Sequence, residues 1–127
     1  MLLSINENDS RPIYLQIVNQ IKEQVSCGLL QPGEELPSVR EVANSLGINM
    51  HTVRNAYLKL RDQGIITMHL GRRARIAQRR LTAHNVDLAN GVEARLKELF
   101  ADATLAGMSP DDLRKLIDQR LEQFKRD

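Results

Sequence analysis

Aromatic side chains are scarce in this chain of 127 residues, which has no tryptophan, two tyrosines (Tyr14, Tyr57) and two phenylalanines (Phe100, Phe124). Surfaces that bind single-stranded nucleic acid stack successive bases on aromatic rings, and so few rings do not make such a platform. Cysteine is almost missing as well. Cys27 stands alone, so it forms no internal disulfide and belongs to no Cys-x-x-Cys pair. It reads as a small, semi-buried helix residue. His51, His69 and His84 show no metal-ligand spacing. No apolar run approaches the ~20 residues of a membrane-spanning helix. The opening MLLSINENDS lacks the basic stretch and apolar core of a secretion signal. Nor does any nucleophile stand in a motif with a base, as covalent catalysis requires. The expectation is a cytoplasmic protein that is not an enzyme and carries no metal or cofactor.

What is abundant is positive charge, unevenly placed. Residues 1–82 carry eleven Lys/Arg against seven Asp/Glu, whereas residues 83–127 carry seven against nine. From Asn49 to Arg80 the bases are Arg54, Lys59, Arg61, Arg72, Arg73, Arg75, Arg79 and Arg80, and Asp62 is the one acid. So basic a segment in a chain of formal net charge +2 points to a polyanion.

The pattern along the chain is mainly helical. Pro12 suits the first turn of a helix, with Ser10 before it as a cap. Ile13, Ile17, Ile21 and Val25, with Val18 beside them, form a core-facing stripe that ends near Gly28. Pro32-Gly33 marks a turn. Ser38 and Glu41 have capping-box spacing and start a second helix, whose apolar positions are Val39, Val42, Ala43 and Leu46, and Gly47 stops it. Asn49 caps a third helix that turns Val53, Ala56, Tyr57 and Leu60 inward and ends before Gly64. Residues 65–68 and 74–77 read as two short strands around the turn Leu70-Gly71-Arg72-Arg73.

After a junction at residues 78–84, a longer helix is predicted from about Asn85 to Ala106, with Ala89, Val92, Leu96, Leu99, Ala103 and Ala106 spaced as a short heptad seam. Gly107 stops it. Ser109-Pro110-Asp111-Asp112 restarts a helix, its acids suiting the positive helix end, and Leu113, Leu116, Ile117, Leu121 and Phe124 share one face. The order helix, helix, Gly turn, helix, arginine-tipped hairpin is that of a winged helix-turn-helix. The fold class expected is therefore mainly α with a small β-hairpin. It consists of a winged helix-turn-helix domain over 1–78 and a two-helix dimerisation region over 79–127. The dimer contacts are expected from Val92, Leu96, Leu99, Phe100, Leu113, Ile117, Leu121 and Phe124.

In a helix-turn-helix the second helix enters the major groove of duplex DNA by its N-terminal end. Here that end offers Asn49, Met50, His51, Thr52 and Arg54, while the apolar residues occupy the other face. Arg54 has the donors for a bidentate contact to guanine. Arg40 forms either a surface ion pair or a clamp on DNA, and Arg72 and Arg73 at the wing tip suit a phosphate or a narrow minor groove. A winged module that docks proteins rather than DNA is the alternative, and it would leave these arginines without a polyanion.

Three runs carry a family resemblance. They are Pro12-Ile13-Tyr14-x-Gln16-Ile17 through Pro32-Gly33-x-x-Leu36-Pro37-Ser38-x-Arg40-Glu41, then Gly47-x-Asn49-x-x-Thr52-Val53-x-x-Ala56-Tyr57-x-x-Leu60-x-x-x-Gly64-Ile65-Ile66, then Gly71-Arg72. Over residues 11–77 the sequence resembles the amino-terminal domain of GntR-family transcription regulators. The short tail is similar to the YtrA-type branch, which implies a small homodimer, often controlling transporter operons. The resemblance implies operator contacts at Arg40, Thr52, Arg54 and Gly71. With Ser38, Asn49, His51, Arg72 and Arg73 these make up the expected DNA-binding set, on a palindromic operator that the protein represses. Met50 stands where the family often has a polar or basic residue, and His51 and Leu70 are also less usual there, which implies a distinctive operator. The tail is too short to enclose a usual ligand pocket by itself, so an effector is unassigned and a pocket between two copies stays open.

Overall fold

The computed structural model describes residues 1–78 and 86–126. Seven elements follow in order: α1 (Ile13–Ser26), α2 (Val39–Leu46), α3 (Met50–Asp62), β1 (Ile66–Thr67), β2 (Arg75–Ile76), α4 (Val86–Leu105) and α5 (Pro110–Arg126). Chain contacts divide into two units, Met1–Arg80 and Leu81–Asp127. The architecture is mainly helical with one antiparallel hairpin, as the patterning predicts. The expected junction with its Arg79, Arg80 and His84, the helix start at Asn85 and the side chain of Phe124 lie outside the described residues.

In the first unit α3 is the centre. Val53, Ala56, Tyr57 and Leu60 on its inner face are fully buried against Ile17, Val18 and Ile21 of α1 and Val42 and Ala43 of α2. The valine, leucine and isoleucine side chains among them contribute about 1.5–3 kcal/mol each. The buried Tyr57 hydroxyl donates to the Pro37 carbonyl at 2.7 Å, and burial raises its pKa above the ordinary phenol value. The stripe on α1 is narrower than its four-residue spacing predicts. At about 100° per residue, a strict four-residue step drifts about 40° each time. Ile17 and Ile21 therefore sit in the core, while Ile13 at one end is 37% exposed and Val25 at the other is half-buried. Pro12 takes the N-cap position with no side-chain cap, so Ser10 does not cap the helix.

The helix-turn-helix is built from local signals. Ser38 Oγ accepts from the Glu41 amide at 3.1 Å, and the Glu41 carboxylate reaches back to the Ser38 amide, which completes the capping box. Gly47 ends α2 at φ +67, a left-handed conformation that costs a side-chain-bearing residue strain. Asn49 Oδ1 then accepts from the His51 amide at 2.8 Å and caps α3.

Two non-local pairings escape sequence patterning. The hairpin pairs Ile66 with Ile76 and Thr67 with Arg75, two residues per strand rather than the expected four. Its other edge is covered by the segment before α2, where Leu36 N donates to Ala74 O, Ile76 N to Glu34 O and Gly33 N to Ile76 O at 2.8–2.9 Å. β2 therefore runs between two neighbours, which fixes the wing to the start of α2.

The second pairing lies along α1. Gln16, Gln20 and Gln24, one helical turn apart, each bond the backbone of alternate residues in the N-terminal arm. Gln24 takes both backbone groups of Leu2, Gln20 both of Ser4, and Gln16 both of Asn6, at 2.6–3.2 Å. Four helical residues rise about 6 Å and two extended residues about 6.6 Å, so the two repeats run in step. A glutamine amide presents one acceptor and a donor, as a strand edge does. The intervening Met1, Leu3 and Ile5 turn to the core.

In the second unit, α4 and α5 are joined by a turn at Gly107 (φ +81). Ser109 and Asp112 exchange side-chain and backbone bonds at 3.1 Å, which caps α5 and lowers the Asp112 pKa. Ala103 and Leu113 are buried within this unit.

Candidate nucleic-acid interface

Between α3 and the wing lies an open groove of about 770 Å³. The α3 side contributes Asn49, Met50, His51, Arg54, Leu58 and Arg61, and the wing side Met68, His69, Leu70 and Gly71, with Val39 of α2 at one edge. No acidic residue lines it. The rigid α3 core sets the rotation of the helix, so the burial of Val53, Ala56 and Tyr57 directs His51 and Arg54 outward.

Of the residues expected from the sequence, the structure brings Asn49, His51, Arg54 and Gly71 into this one groove. Ser38, Arg40, Thr52, Arg72 and Arg73 fall outside its lining. Arg40, Arg54 and Arg72 are exposed and make no ion pair among the described residues. Arg40 therefore does not take the surface ion pair that its neighbour Glu41 suggests. Asn49 has its carbonyl oxygen committed to the α3 cap, so its amide donors are what remain to meet a partner.

Arg73 departs from the expected free wing tip. Its guanidinium holds Glu41 in a bidentate pair, at 2.6 and 3.0 Å, across 32 positions of sequence. The pair keeps the Glu41 carboxyl below the ordinary carboxylate range, chiefly through the Arg73 hydrogen bonds, with the Ser38 amide adding to it. Such a group holds its clamp at every pH above the ordinary carboxylate pKa and loses it only as pH falls through the lowered value. Arg75 is engaged in the same manner, donating to Gly33 O at 2.9 Å and to Glu35 at 2.6 Å. Two of the three wing arginines thus fasten the hairpin to the strand-like segment and α2, and Arg72 alone is left facing outward. The turn itself closes from Arg72 N to His69 O at 3.1 Å, one residue earlier than the sequence suggests. Gly71 sits in it at φ +75, with nothing within 4 Å of where a Cβ would stand, so the requirement is conformational rather than steric.

Sequence reasoning placed Met50 at the reading end of α3 without giving it a contact, and did not assign His69 or Leu70 to the site. The exposure of Leu70, with its whole side chain in solvent, and of Met50, at 43%, is the signal in the structure. The groove is polar at its cationic groups and apolar between them, open along its length, and free of negative charge. That arrangement suits the edge of a nucleic-acid duplex.

The profile of bacterial regulatory proteins of the gntR family matches residues 13–84. The chain belongs to this family. It is 36% identical to the HTH-type transcriptional repressor YtrA of Bacillus subtilis, over 91% of this chain and 89% of that one. Among solved structures it is similar to a transcriptional antiterminator from Listeria monocytogenes EGD-e, with 34% identity and a TM-score of 0.88 over 98% of this chain and 92% of that one. YtrA from Sulfolobus acidocaldarius, a GntR-family transcription factor, is similar with 32% identity and a TM-score of 0.58 over 95% and 97% of the two chains. This GntR-family protein is YtrA-like and is a DNA-binding regulator of transcription. Among its described residues no helix is long and apolar enough to cross a membrane.

Proposed function

We propose that this GntR-family protein is a cytoplasmic repressor that binds a palindromic operator as a homodimer, with a winged domain over 1–78 reading DNA and the region 79–127 joining two copies. The observation that carries the dimer is the tail's uncovered apolar row. Val92 is 61% exposed, Leu96 41%, Leu99 46% and Phe100 49%. Leu116 and Leu121 of α5 are half exposed too. A contiguous exposed apolar face of this kind marks an interaction surface, and heptad spacing favours a helical partner of the same kind. Leu113 is already buried inside its own unit, so it supports the α4–α5 turn rather than the contact between copies, and Ile117 is half-buried beside it. That the similar B. subtilis protein is named a transcriptional repressor supports the direction of control.

Two copies would place their α3 helices on half-sites one turn apart, roughly 34 Å. Arg54 is the base reader, and Ser38, Arg40, Thr52 and Arg72 fix the register on phosphates. Binding to genomic duplex fragments at two salt concentrations tests this reading. A preferred fragment with two-fold symmetric sequence should persist as salt rises. A chain that prefers no fragment at either salt concentration would be a protein-docking module instead.

The wing arginines divide this work. Arg72→Ala should weaken binding to all sequences alike and flatten the log–log salt slope by about one unit for each bound protomer. Arg73→Ala should leave that slope in place and instead loosen the wing, which hydrogen exchange at the Leu36 and Ile76 amides would register. Glu41→Gln should reproduce the exchange effect. A slope change for Arg73→Ala equal to that of Arg72→Ala would return Arg73 to the phosphates.

A further inference from the structure

The reading face holds an apolar side chain where DNA readers need polar ones. Met50 opens α3, is 43% exposed, and lines the groove with Arg54 and Leu70. It is not part of the buried core cluster, which draws on α3 only through Val53, Ala56, Tyr57 and Leu60. The exposed part of Met50 is apolar area that gains free energy if a ligand's apolar group covers it. In the major groove the base edges carry one apolar group, the 5-methyl of thymine. A methionine suits it because its unbranched, polarisable thioether adapts to a small apolar target.

We propose that Met50 is a specificity-determining residue that reads the 5-methyl group of a thymine in each half-site. Its position relative to Arg54 sets where that thymine lies. Four helical residues separate the two, so they share a face and stand about 6 Å apart along the axis. Successive bases on one strand are about 3.4 Å apart. The thymine is therefore within one to two base steps of the guanine that Arg54 takes. Leu70, at the wing tip, forms the opposite apolar wall of the groove. This inference rests on the operator-binding reading above and adds the identity of one base.

Uracil differs from thymine by that methyl alone, so replacing thymines singly in the preferred duplex isolates the contact. With the intact chain, one thymine per half-site should be sensitive, with affinity falling about four-fold for each methyl removed, the equivalent of one buried methylene. It should lie within one to two steps of the position at which Arg54→Ala loses its preference. Met50→Gln keeps the side-chain length and helix propensity, and the exposed position spares the fold, which thermal unfolding checks. In that variant the same thymine-to-uracil change should have no effect. If no uracil substitution weakens the wild type, or if the sensitive thymine stays sensitive in Met50→Gln, Met50 is not the reader. If the wild type selects no duplex at all, specific operator binding fails first and the methyl contact with it.

Discussion

A chain ending at Gln78 is expected to stay folded, to be a monomer, and to lose about 10²–10⁴-fold of its affinity for a full palindrome. Folding is retained because every residue of the first unit's core lies between Met1 and Gln78, and the arm, the wing and α1–α3 satisfy one another within that span. The loss follows from linkage. Two joined reading heads make the second contact intramolecular, at an effective concentration set by the joint, whereas single heads each bear the full cost of association. The same result should come from the intact chain carrying Val92→Glu and Leu99→Glu. Both side chains are exposed in one copy, at 61% and 46%, so the substitutions cost that copy's fold little. In a dimer they would bury carboxylates against an apolar face, which is strongly unfavourable. Sedimentation reads the oligomeric state, and titration of palindromic and half-site duplexes reads the linkage. An intact chain that is monomeric at about 10 μM, roughly the stringency of a micromolar association, would remove the tail from this role. So would a chain ending at Gln78 that grips the palindrome as tightly as the whole.

What could be read in advance was what is written locally. Ser38 and Glu41, Gly47 and Asn49 act within four residues of themselves, and each does in the structure what its position predicts. The inward face of α3 was legible for the same reason, since Val53, Ala56, Tyr57 and Leu60 fall on one side of a regular helix. The glutamine ladder was not legible. Gln16, Gln20 and Gln24 bind backbone, which has no sequence signature, and residues 2–6 carry no strand pattern strong enough to announce a partner. The cover over β2 by residues 33–36 is similarly non-local, and a Pro-Gly turn signal concealed it. Arg73 illustrates the limit for function. As a residue type it resembles Arg72, yet a glutamate 32 positions away claims it and leaves its neighbour free. Ile13 shows the same limit for the core, because a repeat of four is close to the helical period without matching it.

Arg54→Ala should cost about 1–3 kcal/mol per half-site and erase the preference at one base position. The geometry singles it out among the cations. It lies within the first turns of α3, the end that reaches base edges in a helix-turn-helix. Val53 before it and Ala56 after it are fully buried, so the helix cannot rotate to withdraw it. It lines the groove and has no ion pair among the described residues, so no internal partner has to be broken before it meets a base. Its planar fork matches the two acceptors of a guanine edge, and replacing it with lysine would keep the charge but not the fork. Arg40, outside the groove lining, is the contrast. Arg40→Ala should weaken all duplexes by a similar factor and leave their ranking intact. A series of single base-pair changes across the best operator, titrated against wild type and both variants, separates the two. Wild type and Arg40→Ala should show the same profile at different absolute affinity, and Arg54→Ala should show a profile flattened at one position in each half-site. If Arg54→Ala keeps the wild-type profile everywhere, the guanidinium rests on phosphate. Guanine readout would then pass to His51 or to the Asn49 amide donors, which the cap of α3 leaves free.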